Sequence, residues 1–228
     1  MIPIKAENAT LKFPLVTLLI IALNLGIFIY QMTLPWQVQN EFLTSFGMTP
    51  ATLLGLLDRA EGGFHPALTF LTSLFLHGSI FHLLGNMLYL WVFGVSIEAV
   101  LGKIRFVIFY LLCGVLASVA HIVLNPNSTL PMVGASGAIA GVLGAYLITF
   151  PSTRIKVLVF LLFFITTLRI SALWVLGFWF LIQLYYATEP ATGTGTNVAY
   201  MAHVGGFIAG IWLMRRMRPN LKWRTSES

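Results

Sequence analysis

Long apolar runs, each of a length that crosses a lipid bilayer and separated by short polar joints, leave this chain little choice of fold. Roughly 17 to 25 predominantly apolar residues carry a helix across the hydrocarbon layer. Stretches of that kind lie at about 14–33, 80–101, 105–124, 133–150, 171–188 and 198–214. Of the 228 residues, 58% are hydrophobic and 9% charged, the balance of an integral membrane protein. The expected fold is all-α: a polytopic membrane helical bundle of six transmembrane helices in a single domain over 14–214, without internal repeats.

Several segments need separate treatment. The first run is long for the apolar region of a signal peptide, and no small-x-small cleavage site follows it, so it is expected to be retained. VLVFLLFFITTL, between Lys156 and Arg169, is as apolar as any span but has only twelve residues. It is too short to cross, and a dip into the membrane or an interfacial helix is expected there. The longest connection, 34–79, carries Pro35, Trp36, Pro50, Gly62, Gly63 and Pro66 and includes ATLLGLLDRA, whose periodicity suits a short surface helix.

The basic residues set the orientation. Lys5 and Lys12 precede the first span, and Lys103 and Arg105 join the second to the third. Arg154, Lys156 and Arg169 join the fourth to the fifth, and Arg215, Arg216, Arg218, Lys222 and Arg224 follow the sixth. Twelve of thirteen thus fall on one side, and the other holds Arg59 with Glu41, Asp58, Glu61 and Glu189. By the positive-inside rule the tails 1–13 and 215–228 face the cytoplasm and the loop 34–79 lies outside. The formal charge of +6 therefore reads as an orientation signal and not as a nucleic-acid-binding face. The residues after Met217 are expected to be mobile. The single cysteine, Cys113, lies within a span, so no disulfide can form within the chain, and it reads as core filler.

Polar side chains inside spans are the informative ones, because lipid charges several kcal/mol for each unless it is paired or faces a wet cavity. His82, Asn86, Ser136 and His203 all fall within roughly 10 Å of the outer boundary at about 1.5 Å per residue. His82 and Asn86 share a helix face at i, i+4; an interhelical hydrogen-bonding pair is the plainer reading of those two alone. His77 is rotated by about 140° from His82 on a helix and cannot share that face. It belongs where the helix begins, as a cap or lining. His65 and His121 read as interfacial. Glu98, at the cytoplasmic end of the second span, suits structural pairing or capping.

Ser136 sits in GASGAIAG, where Gly134 receives the chain from a loop and Gly137 and Gly141 form a small-xxx-small stripe; Gly206 and Gly210 form another on the sixth span. The stripe makes Ser136 either a packing residue or a nucleophile. If the two stripes pack together, Ser136 and His203 come within hydrogen-bond reach, and a serine beside a neutral imidazole is the minimum arrangement for nucleophilic attack on a carbonyl. None of the seven Asp and Glu lies in the outer third of a span, so the pair would act as a dyad. His82, Asn86 and the Ser136 backbone N–H lie at a depth suited to an oxyanion hole.

HGSIFHLLGNMLYLWVFG, GASGAIAG and AHVGGFIAG, in that order on the second, fourth and sixth spans, resemble the rhomboid family of intramembrane serine proteases. The resemblance runs from about residue 68 to 214. It implies that Ser136 is the nucleophile, His203 the general base and His82 and Asn86 the oxyanion residues, and that Glu98, following Gly94, is used structurally. It implies a fifth-span gate at LWVLGFWFLIQLYY and substrates that are transmembrane segments of other proteins, cut near the outer face where a helix unwinds easily. Two departures are Val198, where the family usually has glycine, and a first loop without the tryptophan-arginine pair of some members. The chemistry calls for no metal and no cofactor, and six spans without an appended domain suit a bacterial or archaeal cell membrane. A metalloprotease is disfavoured because H-E-x-x-H is missing and His77 and His82 do not chelate from one face. A transporter or channel is disfavoured by the lack of a repeat and of a polar trail to the cytoplasmic side; a catalytically inactive, rhomboid-like membrane protein that binds other membrane proteins is the third alternative. The sequence leaves the oligomeric state open.

Overall fold

The computed structural model describes residues 2–8, 13–58, 65–161, 164–188 and 198–218. Lys12, Arg59, Glu61, Glu189 and the tail from 219 onward lie outside the described residues. The apolar runs form α1 (Leu15–Thr33), α3 (Ile80–Leu101), α4 (Lys103–Leu124), α5 (Ser136–Thr149), α6 (Ala172–Thr188) and α7 (Tyr200–Met217). α1, α3 and α4 are each long and apolar enough to cross a membrane. α5 is shorter, at 14 residues, and spans only about 21 Å. It can be short because protein surrounds it: every residue from Gly137 to Tyr146 is buried, with α7 and α4 packed closest against it.

The connection 34–79 is more structured than its composition suggests. It holds α2 (Trp36–Phe46) and helical turns at Pro50–Leu53 and Pro66–Phe75. Among the described residues of ATLLGLLDRA, those up to Leu53 belong to the first of these turns, and Gly55 just beyond it takes a φ of +72°. α3 contains a π-helical turn at Leu90–Gly94. It passes into α4 through Gly102 alone, whose φ of +79° is open to glycine.

Two expectations are corrected at the sheet. The described residues within 157–168 form strands and not an interfacial helix, and the fold is mostly rather than wholly α-helical. Arg154–Leu161 (β2) and Phe164–Ser171 (β3) make an antiparallel hairpin, and Ile2–Ala6 (β1), within the segment read as a tail, pairs with β2 in the order β1-β2-β3. The physical reason lies in side-chain shape and alternation. Val157, Val159, Thr166 and Thr167 are β-branched and suit a pleated surface. Ile155 and Val157 turn into the core cluster that also holds Ala172 and Leu176. Lys156, of opposite parity, pairs with Lys5 on one side and Arg169 on the other. Arg169 also meets Glu7 at 2.8 Å. Asn8, just past β1, ties this edge to the bundle: its amide donates to Ser96 Oγ at 2.9 Å and accepts from the Tyr146 hydroxyl at 2.9 Å.

Glu98 anchors α1. Its carboxylate is buried and accepts from the backbone N–H groups of Val16 (2.9 Å) and Thr17 (2.8 Å) and from the Thr17 hydroxyl (2.7 Å). The first N–H groups of a helix have no partner within it and present the positive end of its dipole. Pro14, the N-cap, offers no side-chain acceptor. Glu98 supplies from α3 what the local sequence lacks.

Candidate active site

α5 begins at Ser136, so the Ser136 side chain stands where a helix has unpaired N–H donors. Gly134 makes the approach possible. Its φ is +123°, and a Cβ there would lie 2.7 Å from His82 Cε1 and 2.8 Å from His82 Nε2. The chain therefore turns against the imidazole of α3 only because residue 134 has no side chain. The Gly134 N–H is held by the Ser73 carbonyl at 2.9 Å.

α5 and α7 meet backbone to backbone. A Cβ at Gly206 would collide with the Gly137 carbonyl, one at Gly210 with the Gly141 carbonyl, and one at Gly144 with the Phe207 carbonyl. On the flank facing α4, the space beside Gly141 is filled by Cys113, which is buried. Ser136 and His203 stand at one end of this seam. Ser136 Oγ lies 2.8 Å from His203 Nε2, and His203 Nδ1 lies 2.7 Å from Gln183 Oε1 on α6. An amide oxygen only accepts, so Nδ1 carries the ring proton and Nε2 presents its lone pair to the hydroxyl. Trp179 and Tyr200 flank the imidazole, with centroids at 6.0 and 6.2 Å.

Ser136, His203, Gln183 and Trp179, with His82 and Asn86, line a cavity of about 790 Å³. Asn86 Nδ2 lies 2.9 Å from His77 Nε2, and the His77 ring meets His82 edge-on at 5.1 Å. The rotation that separates His77 from His82 on a helical wheel does not apply, because His77 precedes α3, in the connection that leads into it. Gln31 of α1 fixes its backbone: the amide nitrogen donates to the His77 carbonyl at 3.2 Å, and the amide oxygen accepts the His77 N–H at 3.3 Å. Burial, and then the neighbouring His82, lower the His77 pKa to about 3, which keeps the ring neutral. His65 and His121 stand apart, His65 accepting from the Ala67 N–H at 3.3 Å and His121 lying near Asn125.

Gln183 and Gln31 escaped the reading of the sequence, although both are polar residues within apolar runs. The usual third group beside such a histidine is a carboxylate, but an amide oxygen can also accept from Nδ1.

A serine hydroxyl bonded to the basic nitrogen of a neutral imidazole can give up its proton as the oxygen attacks a carbonyl. The motifs that carry this pair also carry its ancestry: the Rhomboid domain model matches residues 65–220. The chain belongs to the rhomboid family. It is 32% identical to the rhomboid protease GluP of Bacillus subtilis, over 87% of this chain and 34% of that protein. It is 32% identical to the mitochondrial presenilin-associated rhomboid-like protein of Rattus norvegicus, over 69% of this chain and 40% of that one. With the mitochondrial rhomboid protein 1 of Saccharomyces cerevisiae it shares 31% identity, over 61% of this chain and 38% of that one. The chain spans about a third to two fifths of the length of these curated relatives. This rhomboid is thus related to proteins from bacteria and mitochondria, one of them named as a protease.

Proposed function

We propose that this rhomboid is an intramembrane serine endopeptidase that cuts transmembrane segments of other proteins near the outer membrane face. The observation that carries the reading is the 2.8 Å contact between Ser136 Oγ and His203 Nε2 in the cavity that His82 and Asn86 also line. His203 takes the hydroxyl proton as Ser136 Oγ bonds to the scissile carbonyl carbon. The resulting oxyanion is received by His82, Asn86 and the backbone N–H of Ser136. His203 returns the proton to the leaving amine as the C–N bond breaks, and water then hydrolyses the acyl-enzyme with the same residue as base. α1, α3, α4, α5, α6 and α7 serve as the six spans. Both termini face the cytoplasm, a reading supported by Lys5, Arg154, Lys156 and Arg169 on the sheet and Arg215, Arg216 and Arg218 at the end of α7. A bacterial or archaeal cell membrane is the proposed location.

The test is labelling of the detergent-solubilised protein by a fluorophosphonate, with Ser136→Ala and His203→Ala as controls. Labelling and cleavage of a helix-destabilised transmembrane substrate are expected for the wild type only. Persistent labelling of Ser136→Ala, or neither labelling nor cleavage by the wild type, overturns the reading.

A further inference from the structure

α6 is held loosely. Of its 17 residues, the buried ones are Ala172, Leu176 and Gln183. The first two lie at the end that follows β3, in the core shared with Ile155 and Val157. Beyond Leu176 the buried position is an amide, while Phe178, Leu181 and Tyr185 are exposed and no atom lies within 4 Å of where a Cβ on Gly177 would sit. Rings add further contacts to α7: Phe180 stacks on Phe207 at 4.6 Å, Trp179 lies 6.1 Å from Phe207, and Tyr186 stacks on Tyr200 at 5.1 Å.

An amide removed from water needs a hydrogen-bond partner, and the partner of Gln183 is the nitrogen of His203 that faces away from Ser136. We propose that Gln183 is a positioning residue for His203, coupling the docking of the C-terminal half of α6 to the tautomer that the serine requires. The inference rests on the proposed protease reading. With α6 docked, Oε1 accepts the Nδ1 proton and leaves Nε2 free to take the one from Ser136. When the C-terminal half of α6 moves outward to admit a segment of substrate, Oε1 leaves with it, and the Nδ1–H form loses the acceptor that favours it. The base becomes competent when α6 closes again. The amide does this without adding charge, which suits a site where an ionised carboxylate would be costly to desolvate.

The test compares Gln183→Met, close in shape but without an acceptor, with Gln183→Glu, which keeps an acceptor oxygen. Ring nitrogen signals of His203 are recorded by 15N NMR in detergent, assigned with His203→Ala, alongside kcat and KM on a transmembrane substrate. The wild-type ring is expected in the Nδ1–H form, and Gln183→Met is expected to give mixed tautomers. Its kcat should fall on the order of tenfold to a hundredfold, the range for one lost and one orphaned hydrogen bond, with KM little changed. Gln183→Glu should recover most of the loss. A wild-type ring protonated on Nε2, an unchanged tautomer and kcat in Gln183→Met, or no recovery in a folded Gln183→Glu overturns the inference. If Gln183→Met fails to fold, the wild-type spectrum still decides. The ring signals need no activity, so loss of the protease reading, scored by labelling that ignores Ser136, is distinguishable from loss of the role given to Gln183.

Discussion

Replacing Gly206 by alanine tests whether the glycine seam sets the distance between the proposed nucleophile and its base. The new Cβ would fall on the Gly137 carbonyl oxygen, 3.0 Å from the Gly137 carbonyl carbon and 3.3 Å from Ala117 Cβ. A helical carbonyl on α5 cannot swing aside without giving up its own hydrogen bond, so α7 must retreat. His203 is three residues from Gly206, about 4.5 Å along the helix axis, close enough to be carried with it. A retreat of about 1 Å stretches the pair past hydrogen-bonding range, from its 2.8 Å separation. Overpacking of this kind costs about 1 to 3 kcal/mol, and a misplacement of about 1 Å can cost on the order of a hundredfold in rate. The assay is thermal unfolding in detergent together with the rate of fluorophosphonate labelling. Gly26→Ala on α1 is the control, since a Cβ there meets nothing within 4 Å. It should label like the wild type and gain up to about 1 kcal/mol from helix propensity. The reasoning fails if Gly206→Ala keeps the wild-type melting temperature and labelling rate, or if Gly26→Ala loses as much.

Two further outcomes follow from buried polar groups. Glu98→Gln replaces one acceptor oxygen by a donor, orphans one of the Val16 and Thr17 backbone N–H groups and should cost about 1 to 3 kcal/mol; an unfolding curve that superimposes on the wild type would refute the capping role. His77 is held at about 3, against about 6.5 for an exposed histidine. Between those values the unfolded chain binds a proton that the folded chain does not, so this contribution to stability is complete above about pH 6.5 and is lost as the pH falls. Melting temperatures in detergent should decline over that window, and His77→Gln should flatten the decline; an equal slope in the variant would count against it.

The helices and the meeting of Ser136 with His203 were readable because lipid restricts what a sequence can do. An apolar run of spanning length has one economical conformation, and a small-residue stripe on each of two helices prescribes how they touch. The hairpin was not readable by the same logic. Its centre is uniformly apolar, so the alternation that marks a strand shows only at its margins, where Ile155 and Val157 turn inward and Lys156 outward, and its partner β1 lies some 150 residues away in sequence. The place of His77 just ahead of α3 was legible in the sequence, whereas Gln183 was not, because the usual third group beside a serine–histidine pair is a carboxylate and one amide in an apolar run gives no such signal.

The two overlooked amides, Gln183 and Gln31, bear on how such a site is built. The groups that meet at the cavity are a hydroxyl, imidazoles and amides: Asn86 bonds His77, Gln31 fixes the His77 backbone, and Gln183 accepts from His203. Each is a neutral dipole, and neutral dipoles can be buried for the cost of a satisfied hydrogen bond, whereas an ion needs a compensating charge. The buried carboxylate of Glu98 sits instead against the N-terminus of α1, where a helix dipole and three donors receive it. Orientation of His203 by an amide in place of an acid is therefore what burial within a membrane favours. It also makes orientation depend on where α6 lies, because an amide has only its short-range hydrogen bond with which to act.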